Sequence, residues 1–374
     1  MTTRLSFADL PLPGYRHDGG VAPRLLAAAV QELGGPTMGT RWSVKYWHAP
    51  ATPGPARREV REAIEIALDL VVRQMSTWED DSDLSRYNRA APGRWQKLPE
   101  PLFSVLQHAL ELARATGGAY DPTVGPAVNL WGFGPDPARR DAPTEGDLEM
   151  ARRRIGWQRV QLDVEQRRAR QDGGTYVDLS SIAKGYAVDA VARALQRLGC
   201  GNALVEVGGE LLGMGRRPDG QPWRVAVRLP GLEQGDAGPV LALKGLAVAT
   251  SGDDFRCFET DDGERHSHTI DPRTGRPVRH ALASVTVVHA QCMQADALAT
   301  ALTVLGPDEA GPTPSGSGWP CCSSAVLRTA ATRPARRPGS KHCWHDAAVR
   351  RRAAGARRGR DRAVLCGAVR RHLA

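Results

Sequence analysis

TYVDLSSIAKGYAVD, residues 175–189, is the stretch around which this 374-residue chain is organised. A short apolar run over 176–179 predicts a strand, which passes through two serines into an Ala-rich helix that begins at Lys184. Backbone N–H groups in the first turn of a helix lack intrahelical partners, so they favour negatively charged ligands such as phosphate. An acid (Asp178), two hydroxyls (Ser180 and Ser181) and Lys184 therefore indicate either a ligand site or an ordinary capped helix start.

The net charge of +9 is unevenly distributed along the chain. Residues 311–374 contain fourteen Lys and Arg against two Asp and Glu, whereas residues 1–310 contain 36 basic and 39 acidic residues. Four of the seven cysteines also lie in the basic tail. The other three, Cys200, Cys257 and Cys292, lack metal-ligand spacing and are typical of reduced structural thiols.

These changes in composition predict three segments. They are an N-terminal extension at 1–33, a globular domain at 34–310, and an Arg- and Cys-rich tail at 311–374. The tail is a non-native sequence from a reading-frame shift, a disordered segment, or a basic arm for nucleic acid or an acidic membrane. Its Arg clusters lack interleaved aromatic residues, so we do not expect nucleic-acid binding.

The sequence also bears on location. No apolar run reaches the roughly 18 residues of a membrane-spanning helix, so none is predicted. The N-terminus shows neither a signal-peptide pattern nor a lipobox cysteine. We therefore expect a cytoplasmic protein, or a periplasmic one if the true start of the gene lies elsewhere.

Hydrophobic periodicity predicts most of the secondary structure. Apolar residues at helical spacing predict helices at 56–75, 100–116, 144–155, 184–198 and 294–305, with a shorter helical patch at 23–33. Alternating or short apolar runs predict strands at 42–46, 203–207, 223–229, 246–250 and 283–289, with a polar hairpin at 159–170.

The helix at 294–305 carries a second polar group. Asp296 and Thr300 are four residues apart and so share one helical face. A carboxylate and a hydroxyl placed in this way can bind a hard cation such as Mg²⁺, which prefers oxygen ligands. The alternative is a solvated or capping Asp296, although polar groups inside an apolar helix need a partner.

Eight motifs in sequence order carry a resemblance to a known family. They are PTMGTRWSV, MSTWEDDSDLSRYN, GAYDPTVGP, VDLSSIAKGYAVD, VEVGGEL, AVATSGD, SHTIDPRTGRPV and ADALATALTVLG, spanning roughly 34–306. Together they resemble the ApbE family, the FAD:protein FMN transferases. The resemblance implies an α+β, T-fold-like, two-lobed single domain with mixed or antiparallel sheets and flanking helices. It makes 34–310 an ApbE-like flavin transferase domain, and it stops at Gly306.

The resemblance also implies a reaction. Members transfer the FMN moiety of FAD to a Thr or Ser hydroxyl of an acceptor flavoprotein, such as a membrane redox-complex subunit, and release AMP. The reaction requires Mg²⁺. Two alternatives are an FAD pyrophosphatase, which yields FMN and AMP, and an FAD-binding protein with little transferase activity.

Residue roles follow from the same resemblance. His268 matches the histidine that activates the acceptor hydroxyl, and imidazole can accept a proton near neutral pH. FAD contacts fall on Met38, Trp78, Ala119, Tyr120, Asp121, Asp178, Lys184 and Ile270. The metal site falls on Ser181, Ala183, Asp296, Ala299 and Thr300.

Overall fold

The structure is a computed structural model that describes residues 29–49, 54–136, 141–227, 238–252, 257–259, 265–280, 282–309, 325–330 and 363–365. Its main sheet has eight antiparallel strands in the order β1-β2-β6-β7-β10-β15-β16-β17. Their bounds are β1 (Gln31–Thr37), β2 (Thr40–Tyr46), β6 (Ala203–Val207), β7 (Glu210–Met214), β10 (Leu246–Gly252), β15 (Leu282–His289), β16 (Ala325–Ala330) and β17 (Ala363–Leu365).

Alternation of side chains fixes which face of this sheet is buried. In β2, Trp42, Val44 and Tyr46 point to one face and are almost fully buried, as expected for a strand with one face on the core. The turn between β1 and β2 consists of Met38 and Gly39, with φ of 47° and 67°. Two residues with positive φ match the twist of paired strands, which explains the tight hairpin.

Two helices cover the main sheet, and a third packs on one of them. Helix α6 (Ala183–Arg197) lies against β6 and β7, and α7 (Cys292–Glu309) lies against β10 and β15. The two helices also pack on each other, and α1 (Arg57–Met75) packs on α6. Gly306 has φ 69° and breaks α7 just before Pro307. The remaining helices are α2 (Asp83–Asn88), α3 (Glu100–Ala115), α4 (Gly125–Leu130) and α5 (Glu145–Arg152).

Four smaller sheets complete the described fold. A three-stranded sheet joins β3 (Gln96–Lys97), β5 (Arg168–Gln171) and β4 (Val160–Asp163) in that order. Three hairpins pair β8 (Trp223–Ala226) with β9 (Val240–Leu243), β11 (Cys257–Glu259) with β12 (Arg265–Ser267), and β13 (Ile270–Asp271) with β14 (Arg276–Pro277). Within the described ranges, no helix combines the length and apolarity needed to cross a bilayer.

The α+β class with antiparallel sheets and flanking helices is confirmed. Two local predictions are wrong. Residues 31–33 belong to β1 rather than to a helical patch, because they pair with β2. Of the rest of that patch, residues 23–28 lie outside the described residues, and only 29 and 30 are described. Residues 176–179 form no strand, because the Val177 N–H bonds to the side chain of Asn88 and the Asp178 N–H bonds to the carbonyl of Pro122.

The tail prediction lies mostly outside the described residues. Its two described segments are strands: β16 pairs with β15, and β17 pairs with β16. They therefore extend the main sheet beyond residue 310. Helix α7 also runs four residues past the predicted end at 305, across the break at Gly306.

Candidate active site

Hydrogen bonds to two distant residues, Asn88 at the end of α2 and Pro122, and one local bond hold the segment before α6. The side-chain amide of Asn88 donates to the carbonyl of Val177 and accepts from its N–H, both at 2.9 Å. The N–H of Asp178 donates to the carbonyl of Pro122 at 2.7 Å, and its carboxylate accepts from the N–H of Ser180 at 2.8 Å. These bonds satisfy an extended segment without a neighbouring strand, and they fix the turn that delivers Ser181 and α6.

Helices α6 and α7 cross at very close range at Gly185. A Cβ on Gly185 would lie 2.4 Å from the carbonyl oxygen of Cys292 and 2.8 Å from the Cβ of Asp296. The N–H of Gly185 instead donates to Oδ2 of Asp296 at 2.9 Å. Absence of a side chain at Gly185 therefore allows Asp296, which is 4% exposed, to reach the first turn of α6.

A second carboxylate fixes the start of α7. Asp189 on α6 accepts from the N–H groups of Cys292 and Met293, both at 2.9 Å. These are two of the donors that the first turn of a helix leaves without partners. Burial raises the pKa of Asp189, and the two N–H bonds oppose that effect. Asp189 thus sets the register of α7 against α6, and with it the position of Asp296.

Lys184, Glu210 and Asp296 form a charge cluster in which both carboxylates are buried and the Lys184 side chain is 32% exposed. The ammonium of Lys184 donates to Oε1 of Glu210 and lies 4.0 Å from Oδ1 of Asp296. Burial lowers the pKa of Lys184, but the two carboxylates outweigh burial and hold it above its ordinary value. Burial raises the pKa of Glu210 to about 7, opposed by Lys184 and reinforced by Asp296. Two carboxylates share one ammonium, so the ionised cluster carries a net negative charge.

The other proposed metal residues lie around this cluster. Thr300 is one turn along α7 from Asp296, and its hydroxyl lies 3.2 Å from that of Ser251 at the end of β10. Ala299, which precedes Thr300 in α7, is fully buried. The Ser181 hydroxyl donates to the Tyr120 hydroxyl at 3.1 Å. Burial is the main cause of the raised pKa of Tyr120, so this phenol stays protonated at neutral pH.

The oxygen atoms of these side chains and of the Ala183 carbonyl are suitable ligands for a hard cation. Asp296 supplies a carboxylate, Thr300 and Ser181 supply hydroxyls, and Ala183 supplies a backbone carbonyl, all of which are oxygen ligands. The cluster has a surplus negative charge, and Oε2 of Glu210 is buried with no hydrogen-bond partner in the described part of the chain. The described residues contain no group of three His, Cys, Asp or Glu side chains that could hold a metal. A cation here would therefore also use water or substrate oxygens.

Asp121 is committed to protein contacts. Its carboxylate accepts from the N–H and hydroxyl of Thr123, at 2.8 and 2.6 Å, and from the N–H of Trp157 at 2.9 Å. Burial raises its pKa, and these three bonds oppose the rise. The bonds hold the 119–121 loop, which contains Tyr120, against Thr123 and Trp157.

The remaining predicted residues lie in four different settings, and no described contact joins them to the charge cluster. Met38 occupies the β1–β2 turn and is partly buried on the main core, while Trp78 follows α1 with 60% of its surface exposed. Ile270 packs with Trp131 in a small second cluster. His268 stands edge-on to Phe133 at 6.3 Å between ring centroids. An exposed Trp78 ring is suited to stacking on a planar ligand.

Comparison with known proteins decides the family. The ApbE family model matches residues 38–313. An FAD:protein FMN transferase of Vibrio cholerae is 42% identical over 275 residues, covering 73% of this chain and 81% of that protein. The chain belongs to the ApbE family. A Haemophilus influenzae protein of the same name is 39% identical over 303 residues, covering 78% of this chain and 86% of its own.

Solved structures agree with this ApbE assignment. The flavin transferase ApbE from Vibrio cholerae has a TM-score of 0.73 at 38% identity, covering 82% of this chain and 95% of that chain. The ApbE protein from Thermotoga maritima has a TM-score of 0.69 at 31% identity, covering 80% of this chain and 94% of that chain. The described ApbE-like core is therefore nearly the whole of those structures.

The structure adds residues that the sequence did not single out. Glu210 joins the charge cluster, Asn88 positions the turn before α6, Asp189 positions α7, and Ser251 contacts Thr300. Only Glu210 had a local signal, because it is an acid placed directly after a Gly-Gly turn and at the start of a buried strand.

Proposed function

We propose that this chain is an FAD:protein FMN transferase that depends on Mg²⁺ and transfers FMN from FAD to a Thr or Ser hydroxyl of an acceptor flavoprotein. The observation that carries the proposal is the convergence of Lys184, Asp296 and the first turn of α6, in a chain 42% identical to a transferase of that name. Attack on a pyrophosphate requires positive charge at the phosphate oxygens, which the Lys184 ammonium and a cation bound at Asp296 would supply.

The chain's own groups have separate tasks in this reaction. The ammonium of Lys184, in the first turn of α6, neutralises phosphate charge. Asp296, Thr300, Ser181 and the carbonyl of Ala183 would hold Mg²⁺. When bound, the cation supplies Lewis-acid stabilisation of charge on the pyrophosphate. Trp78, Met38 and Ile270 offer apolar surface to the isoalloxazine ring.

The bond changes balance without a further co-reactant. The acceptor hydroxyl oxygen bonds to the FMN phosphorus, and the bond from that phosphorus to the bridging pyrophosphate oxygen breaks. AMP leaves with the bridging oxygen, and His268 takes the hydroxyl proton. Water in place of the acceptor hydroxyl would convert the same steps into FAD hydrolysis.

One experiment tests the assignment. The purified protein is incubated with FAD, Mg²⁺ and an acceptor flavoprotein that offers a Thr hydroxyl, with a Thr→Val acceptor as the matched control. We expect covalent FMN on the intact acceptor, measured by mass spectrometry, together with AMP in equal amount. Both products should disappear when EDTA removes the metal. FMN and AMP released equally with either acceptor would instead assign the chain as a pyrophosphatase.

A further inference from the structure

Glu210 has no role in the function described above, yet its carboxylate is deeply buried. It begins β7 immediately after the turn formed by Gly208 and Gly209, and its side chain is 3% exposed. One oxygen accepts from the Lys184 ammonium, and the other has no hydrogen-bond partner among the described residues. Burying a carboxylate is costly unless it is paired, so Glu210 calls for a physical reason.

Lys184 lies near two carboxylates but forms its hydrogen bond with Glu210. Its ammonium is hydrogen-bonded to Glu210 but remains 4.0 Å from Oδ1 of Asp296. A movement of about 1 Å would close that gap to hydrogen-bond distance. The other oxygen of Asp296 is already occupied by the N–H of Gly185. Oδ1 is therefore the Asp296 oxygen that the lysine could block.

The Gly208 turn also confines the lysine. A Cβ at Gly208, where φ is 61°, would lie 3.4 Å from Cδ of Lys184 and 2.8 Å from Cγ2 of Thr40. The lysine stem thus runs along this turn toward the Glu210 carboxylate. If Glu210 lost its charge, Asp296 would be the only remaining anion of the cluster. Attraction between unlike charges strengthens in a poorly solvated site, so the ammonium would move toward Asp296.

We infer that Glu210 is a positioning residue that holds the Lys184 ammonium away from Asp296 and thereby keeps the Asp296 carboxylate open to a divalent cation. This inference rests on the metal role of Asp296 in the proposed function. A lysine bonded to Asp296 would compete directly with the cation for the same oxygen. The rival explanation is that Glu210 itself ligates the cation through its unpartnered oxygen.

Metal titrations of four purified proteins separate the two explanations. They are wild type, Glu210→Gln, Glu210→Asp and the double variant Lys184→Met with Glu210→Gln, titrated with Mn²⁺ without FAD and followed by the EPR signal of free Mn²⁺. We expect Glu210→Gln to weaken binding by about tenfold or more, a loss typical of residues that support a ligand. Glu210→Asp keeps the charge and should bind nearly as wild type does.

The double variant is decisive. It replaces both members of the Lys184–Glu210 ion pair with uncharged side chains, so the net charge is unchanged and no ammonium competes for Asp296. We therefore expect its Mn²⁺ affinity to return close to that of wild type. Affinity as weak as that of Glu210→Gln would identify Glu210 as a ligand and overturn the inference. Unchanged affinity in Glu210→Gln would overturn it as well.

A metal-free crystal structure of Glu210→Gln keeps this test independent of the metal assignment. We expect the Lys184 ammonium within about 3 Å of Oδ1 of Asp296, a hydrogen bond that wild type lacks. An ammonium that stays near its wild-type position would overturn the inference. If wild type bound no Mn²⁺ while the lysine did move, the metal role of Asp296 would fail and the positioning role of Glu210 would stand.

Discussion

At the scale of single residues, the site depends on a few groups whose surroundings fix their state. Asp296 is buried, accepts one backbone bond and faces an ammonium, so its carboxylate is oriented before any ligand arrives. Burial raises its pKa, while Lys184 and the Gly185 N–H oppose the rise. Such orientation lowers the cost of binding a cation, because the ligand does not have to be ordered at that moment.

Replacing Asp296 tests the metal site directly. We expect Asp296→Ala to abolish Mg²⁺-dependent AMP release, because the only carboxylate among the proposed metal ligands is lost, while FAD binds more weakly but measurably. Turnover at saturating FAD and varied Mg²⁺ is the measurement, with FAD affinity followed by flavin fluorescence. Asp69→Ala, an exposed change on α1, is the control and should behave as wild type. Full activity in Asp296→Ala would refute the assignment.

His268 gives the second prediction at this scale. His268→Ala should keep FAD affinity within about threefold of wild type but lose a factor of 10² or more in single-turnover transfer, the usual size of a general-base contribution. Rapid-quench mass spectrometry of the acceptor measures that rate. The matched control is His108→Ala on α3, where the ring hydrogen-bonds to the Ser104 carbonyl at 2.8 Å. A normal transfer rate in His268→Ala would place the base elsewhere.

At the scale of elements, the crossing of α6 and α7 determines the site. Gly185 permits the close approach, and Asp189 joins the two helices by capping α7 from the side of α6. The site residues of both helices therefore keep one relative position. A change at the crossing should affect metal affinity even though it removes no ligand.

Gly185→Ala tests this idea. Its Cβ would meet the Cys292 carbonyl, which is backbone and cannot rotate away, so we expect destabilisation of about 1–3 kcal/mol, the usual cost of overpacking, with weaker Mn²⁺ binding. Urea unfolding and Mn²⁺ titration are the measurements. Gly201→Ala is the control, because a Cβ there has nothing within 4 Å and φ is not positive. Equal stability of the two variants would show that the helices can separate at no cost.

The sequence predicts individual helices and strands better than it predicts the contacts between them. Helical periodicity located α1, α3 and α6, because each buries a stripe of apolar side chains on the core. It also located most of α7, although this helix is buried on nearly all sides. It could not find β1, where Gly34, Gly35 and Pro36 are typical of a loop and pairing with β2 alone makes a strand. It also misjudged 176–179, which bond to the distant side chain of Asn88.

The same distinction applies to the site. Asp296 and Thr300 could be paired from the sequence alone, because their spacing on one helix brings them together. Glu210 could not be joined to Lys184, since the contact connects a strand to a helix 26 residues away and exists only in the folded chain. The roles of all the predicted site residues, His268 and the FAD and metal contacts alike, stay predictions.

At the scale of the whole molecule, burial of tyrosines makes the fold sensitive to alkaline pH. Burial is the largest cause of a raised pKa at five of the chain's six tyrosines: Tyr46, Tyr87, Tyr120, Tyr176 and Tyr186. Above pH 10, their ordinary value, the unfolded chain loses phenol protons that the folded chain retains. The folded state then binds more protons, so stability that is complete below pH 10 falls as the pH rises through the folded values.

We therefore expect alkaline unfolding to be cooperative and to coincide with phenolate formation. Absorbance of phenolate near 295 nm and far-UV circular dichroism, followed together from pH 8 to pH 13, should change in one transition above pH 10. In guanidinium, the same tyrosines should titrate gradually near 10. Tyr87→Phe, which removes one buried phenol, should reduce the amplitude of the cooperative absorbance step. Gradual phenolate formation near pH 10 with an intact circular dichroism signal would mean that these side chains reach water in the folded protein.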